Sequence, residues 1–110
     1  MSTSKKISNK RSADPFDRLI FEKGLRIAQV VTDKKLNLLL VILNNAAVLK
    51  MQLSDYQKLS KASQTQLNRW KLISNGVGIE WAGIDEDISL KGIIKAAALQ
   101  TLKAKAVIVL

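Results

Sequence analysis

The run Leu36-Asn37-Leu38-Leu39-Leu40-Val41-Ile42-Leu43 is apolar at every position but Asn37, and it constrains the fold more than any other stretch of the chain. Successive side chains of a strand point to opposite faces, so a run apolar in both registers belongs in the middle of a sheet. Its neighbours supply the flanking strands. Leu25 to Val31 sets Leu25, Ile27 and Val31 on one side against Arg26 and Ala28 on the other. Val48 to Leu53 alternates, with Leu49, Met51 and Leu53 inward and Lys50 and Gln52 outward. Asp33-Lys34-Lys35 reads as a turn. Asn44-Asn45 reads as a two-residue hairpin turn, because asparagine tolerates positive φ better than most residues. A three-stranded antiparallel meander follows.

Beyond the meander the period changes. Ser54-Asp55-Tyr56-Gln57 and Ser63-Gln64-Thr65-Gln66 both place a serine three residues before a glutamine, the pattern of a capping box. They predict one short helix through Leu59 and a second through about Trp70. Leu53, Tyr56, Leu59, Leu67 and Trp70 form the inward stripe, with Lys58, Lys61, Arg69 and Lys71 largely outward. Leu72-Ile73-Ser74 and Gly78 to Trp81 flank glycines and read as a pair of short strands or a wide turn. Ser89 or Asp87 caps a last helix that turns Leu90, Ile93, Ile94 and Ala97 inward. Ala106 to Leu110 is strand-like, either returning to the sheet or leaving an edge that could pair a second copy into a homodimer. The expected fold is α+β: a small meander, two short helices and a C-terminal helix. Residues 1–22 form a basic, flexible arm whose Phe16, Leu19, Ile20 and Phe21 can dock as a helical turn. Residues 23–98 form the single domain, and residues 99–110 form an extension.

Composition narrows the chemistry. With no cysteine and no histidine among 110 residues, the chain lacks thiolate nucleophiles, zinc–sulfur ligands and the usual neutral-pH base. Catalysis is not expected, and neither is a cofactor. The net charge of +9 favours an acidic partner such as nucleic acid, an anionic membrane face or an acidic protein. The N-terminus has no apolar signal segment, and the longest apolar run is far short of a membrane helix. The expected location is the cytoplasm, with no membrane contact.

The densest chemistry lies between Asn75 and Ser89, which holds Gly76, Gly78 and Gly83, Trp81, and the carboxylates Glu80, Asp85, Glu86 and Asp87. Asp85 and Asp87 are hard oxygen ligands, yet the spacing of a calcium loop is absent and no metal site is assigned. Acids just ahead of a helix are expected to satisfy its free N–H groups. Trp81, Asp85, Glu86 and Asp87 are the candidate partner-binding residues. The glycines fit no phosphate loop and are read as freedom for tight turns. Basic residues gather in the arm (Lys5, Lys6, Lys10, Arg11), on the middle helices, and in the C-terminal run (Lys91, Lys95, Lys103, Lys105). The first and last groups are the candidate nucleic-acid contacts.

The tract Asn68 to Trp81, followed by Ile84-Asp85-Glu86-Asp87-Ile88-Ser89, resembles a widespread bacterial family catalogued as domain of unknown function 2442. Its members carry a similar G-x-G-I-x-W … L-D-E-D-I-S run after a hairpin and a short helix, and the likeness extends over about Lys23 to Ala97. The resemblance implies a compact α+β domain, often encoded beside small partner proteins, and some of those pairs look like toxin–antitoxin systems with this domain in the antitoxin-like role. It carries over no catalytic residues. Glu80 stands where many members have histidine, which removes any histidine-dependent role. The expected function is a non-enzymatic interaction module, antitoxin-like, that binds a small partner protein. The alternative is a nucleic-acid-binding protein using the arm and the C-terminal lysines.

Overall fold

The apolar run becomes the central strand of a three-stranded antiparallel sheet, as its two-faced pattern requires. The computed structural model describes residues 14–108, with side chains as far as residue 103. Strands β1 (Ile27–Asp33), β2 (Leu38–Leu43) and β3 (Val48–Gln52) lie in the order β1-β2-β3. The central strand starts at Leu38 because Asn37 takes a left-handed φ of 54°. The Asn37 side chain donates to Ser54 Oγ at 2.8 Å and accepts from Ser54 N–H at 2.9 Å, tying the first turn to the end of β3. A bulge between Ile27 and Gln29 shifts the register of β1. Ile27 and Val30 therefore face the core, and Val31 faces outward against the simple alternation expected.

The β2–β3 turn also differs from expectation. Positive φ falls on Ala46 at 73°, not on an asparagine, and Leu43 N–H donates to Ala47 O across a wider loop. Asn44 is used elsewhere. Its side chain accepts from Arg26 N–H and donates to Gly24 O, both at 3.0 Å, pinning the loop to the start of β1.

A helical segment, α1, precedes the sheet as one α-helical turn at Pro15–Asp17 that widens into a π turn at Arg18–Glu22. Asp14 caps it, accepting from Phe16 N–H at 2.9 Å, and Ile20 is buried in the core while Leu19 and Phe21 stay exposed. After β3 come α2 (Gln57–Lys61) and α3 (Gln64–Leu67). The Ser63–Gln66 capping box forms in both directions, at 3.1 and 2.9 Å. The Ser54 box does not form, because that hydroxyl is held by Asn37 and Tyr56 occupies the cap position of α2.

The second half forms another antiparallel sheet where a pair of strands or a wide turn was expected. Its strands β4 (Lys71–Ile73), β5 (Gly78–Trp81) and β6 (Glu86–Ser89) lie in that order. One hydrogen bond from Ile27 N–H to Gly76 O, at 2.8 Å, joins it to β1 of the first sheet. Helix α4 (Leu90–Ile108) closes the fold and begins at Ser89, whose hydroxyl accepts from Gly92 N–H at 3.0 Å. The helix runs on through Ile108, so the terminal strand expected at Ala106–Leu110 does not form within the described residues. Helix α4 lays Leu90, Ile93 and Ala97 into a core shared with Leu39, Val41, Met51, Leu59, Leu67, Ile79 and Trp81. Among the described residues no polar side chain is buried, and no helix is long and apolar enough to cross a membrane.

Candidate functional site

The signature tract folds as the β5–β6 hairpin, and strand alternation divides its side chains. On the inner face Ile79 pairs with Ile88 and both are buried. Trp81 is 1% exposed, and its indole Nε1–H donates to Leu67 O at 2.9 Å. On the outer face Lys71, Glu80 and Asp87 form one cross-strand row. The hairpin is closed by a 3₁₀ turn at Ala82–Ile84 and by Asp85 in a left-handed conformation at φ 53°. That turn swings the Asp85 side chain fully into solvent, while its carbonyl accepts from Lys58 Nζ at 2.6 Å. Glu86 accepts from Asp87 N–H at 3.1 Å. The Tyr56 hydroxyl is pushed above its usual pKa by burial first, then by the charges of Asp55 and Glu86.

Two expectations about this tract change. Trp81 cannot meet a partner from inside the core, so its role is architectural. Asp85, Glu86 and Asp87 do not cap the last helix, because β6 intervenes and Ser89 does that work. Asp85 and Asp87 stand exposed on the hairpin surface, while Glu86, opposite Trp81 in the register, is half-buried on the indole's face, where its charge acts on Tyr56. Lys58, outward by its spacing, is the anchor of the hairpin tip. Sequence spacing gives no sign of that contact, since 27 residues separate the partners.

The basic clusters separate as well. Lys91 Nζ lies 2.7 Å from Asp14 and 3.1 Å from Asp17, so its charge is spent on holding α1 against α4. Lys95 Nζ stands 6.0 Å from the centre of the Phe16 ring and braces the same junction. Lys103 is exposed beside Lys50, Gln52 and Gln100 in an open depression between β3 and α4. Lys5, Lys6, Lys10, Arg11 and the Lys105 side chain lie outside the described residues. Of the nucleic-acid candidates within the described residues, Lys91 and Lys95 face α1, and Lys103 stands beside β3.

The Lys91 clasp has a defined pH range. The lysine holds the Asp14 carboxyl at about 2, below its ordinary 3.8, and Lys91 is raised above its ordinary 10.5 by the two aspartates. A depressed carboxyl stabilises the fold above its unfolded pKa and loses that contribution as pH falls through the folded value. A raised lysine contributes fully below its unfolded pKa and is lost only as pH rises beyond it. Cleavage of α1 at Arg18 by trypsin, taken relative to an unstructured reference peptide to cancel the protease's own pH dependence, is expected to stay constant from pH 6 to 9. Lys91→Met is expected to accelerate it at every pH in that range. Unchanged cleavage in the variant would mean that Ile20 burial alone holds α1.

Among the described residues no three carboxylates or other ligands converge on a metal position. Among the described residues, the depressions beside β3, at the β5–β6 hairpin and at α2 are open, and none of these gathers an acid, a base and a nucleophile.

Comparisons with known proteins agree with this geometry. A protein of unknown function from Rhodospirillum rubrum ATCC 11170, solved by crystallography, is 28% identical with a TM-score of 0.59, covering 66% of this chain and 87% of its own. The solution NMR structure of an uncharacterized protein from Chromobacterium violaceum shares the fold at 23% identity, with a TM-score of 0.61 over 82% of this chain and 78% of its own. No curated protein matches. The family model described as protein of unknown function (DUF2442) matches residues 27–98, which span both sheets and the packed half of α4, and the chain belongs to that family.

Proposed function

We propose that the chain is a non-enzymatic, cytoplasmic interaction module that binds a small partner protein in an antitoxin-like role. The contact surface is the outer side of the β5–β6 hairpin. One observation carries this reading: the signature tract is divided between a core-facing scaffold and an outward display of acid. Ile79, Trp81 and Ile88 hold the hairpin rigid, while Asp85 and Asp87 are exposed and Glu80 stands in the outer row. Four of the nine acidic residues of a chain with net charge +9 fall between Glu80 and Asp87, and three of them, Glu80, Asp85 and Asp87, are displayed outward. Such a patch suits a partner with a basic surface, steering its approach and rejecting acidic competitors. The resemblance to a family encoded beside small partners supports the same reading.

The test is recovery of the tagged protein from its native lysate, with and without nuclease. A single small protein that survives nuclease is expected, lost on Asp85→Lys with Asp87→Lys and kept on Lys103→Glu. Nucleic acid that is recovered with its bound proteins and vanishes with nuclease would overturn the proposal. Trp81→Ala is unsuited to this test, because it attacks the core and not the surface.

A further inference from the structure

We infer that two copies of this chain pair through the open face of the β1-β2-β3 sheet. The register places three rows on that face: Gln29–Ile42–Val48, Val31–Leu40–Lys50 and Asp33–Leu38–Gln52. The middle column is therefore Ile42, Leu40 and Leu38, apolar throughout. Val31 is 40% exposed, Val48 54%, and Leu36 in the adjoining turn 70%. None of these six side chains belongs to the core or packs against it. The chain cannot cover the face itself with α4, because Leu90, Ile93 and Ala97 fasten that helix to the opposite side of the sheet. A sheet with an apolar outer face normally buries it against a second layer.

Charge placement selects a second copy as that layer. The three strands carry one acid and one base on this face, Asp33 on edge strand β1 and Lys50 on edge strand β3, and Lys103 of α4 adds positive charge at the Lys50 edge. Neither Asp33 nor Lys50 has an ion-pair partner among the described residues. A two-fold axis parallel to β2, running between two stacked sheets, lays β1 of one copy over β3 of the other. Lys50 of each copy then reaches toward Asp33 of its mate, twice over, flanking a central stack of Leu38, Leu40 and Ile42. An isologous contact requires this self-complementarity. The native twist of each sheet fits an aligned packing about 10 Å apart.

Size sets the strength. Strands about 4.8 Å apart and rising about 3.3 Å per residue give a face of roughly 15 by 20 Å. Two copies bury on the order of 800 Å², below the ~1,200 Å² of stable complexes, so the dimer is weak and concentration-dependent. The surface differs from the hairpin proposed for the partner protein, and both can be occupied together.

Sedimentation equilibrium of the full chain across a concentration series tests the inference. A monomer–dimer equilibrium is expected, with a dissociation constant on the order of tens of micromolar. Leu40→Asp is expected to abolish it. Lys50→Glu and Asp33→Lys should each leave monomers, since like charges then face one another in both pairs. An equimolar mixture of those two variants should dimerise again, because both pairs become attractive in the heterodimer. That rescue separates the contact from any loss of folding. A wild-type chain that stays monomeric throughout, as it would if the face served a foreign protein, overturns the inference. So does a dimer that ignores Leu40→Asp, or two monomeric variants that fail to pair when mixed.

Discussion

Gly76→Ala is expected to destabilise the protein by roughly 3 kcal/mol or more, a large share of the ~5–15 kcal/mol available to a small domain. Two costs add. The residue has φ of 109°, well outside the left-handed basin in which asparagine and aspartate are tolerated. A Cβ there would stand 2.5 Å from Ile27 O and 3.0 Å from both Ile27 N and the Arg26 Cβ. Two of those three atoms are backbone and cannot rotate away. The turn must move, and Gly76 O is the acceptor that joins the second sheet to β1. Urea titration measures the loss as a lower midpoint. Gly83→Ala is the control, because nothing lies within 4 Å of its added methyl and its φ is not positive. That change is expected to stay within about 0.5 kcal/mol. Gly24→Ala falls between, with a φ of 77° but open space around it. Equal midpoints for the three variants would show that the Gly76 turn is not what couples the sheets.

The same turn shows where the sequence was legible and where it was not. Periodicity is a local signal, and it found the three strands of the meander, the Ser63 capping box and the inward residues of α4. It read the bulge wrongly, because one extra residue in β1 moves every later side chain to the other face and no residue type announces it. It also missed β6. Glu86-Asp87-Ile88-Ser89 has the composition of a helix start, and it becomes a strand only because β5 offers it a partner. The described part of the strand-like tail, Ala106–Ile108, yielded in the opposite direction, to a helix already propagating from Ser89. The candidate site was half legible. Its residues were found, but their division into buried and displayed sets depends on which face of β5 meets α3. The Lys91 clasp was invisible for a similar reason, since its partners lie 77 and 74 positions away and pair only once α1 lies along α4.

Trp81 tests that division most directly. Trp81→Ala is expected to cost about 3–5 kcal/mol, the range for emptying a large aromatic site in a packed core. The cavity would open among Leu67, Ile79 and their neighbours, which are themselves fully buried and leave little room for collapse. Trp81→Phe separates packing from polarity. It keeps much of the apolar volume but leaves Leu67 O without the indole donor that lies 2.9 Å away. Orphaning a buried acceptor costs about 1–3 kcal/mol, so the phenylalanine variant should fall between wild type and alanine. Trp70, half-buried, remains as the fluorescent reporter of unfolding in both variants. Were Trp81→Phe as stable as wild type, the Leu67 bond would be dispensable and the hairpin would be held by apolar contact alone. A loss in the expected range makes the tryptophan the strut that fixes β5 against α3. The Asp87 carboxylate then points outward because strand alternation sets it on the face opposite the indole.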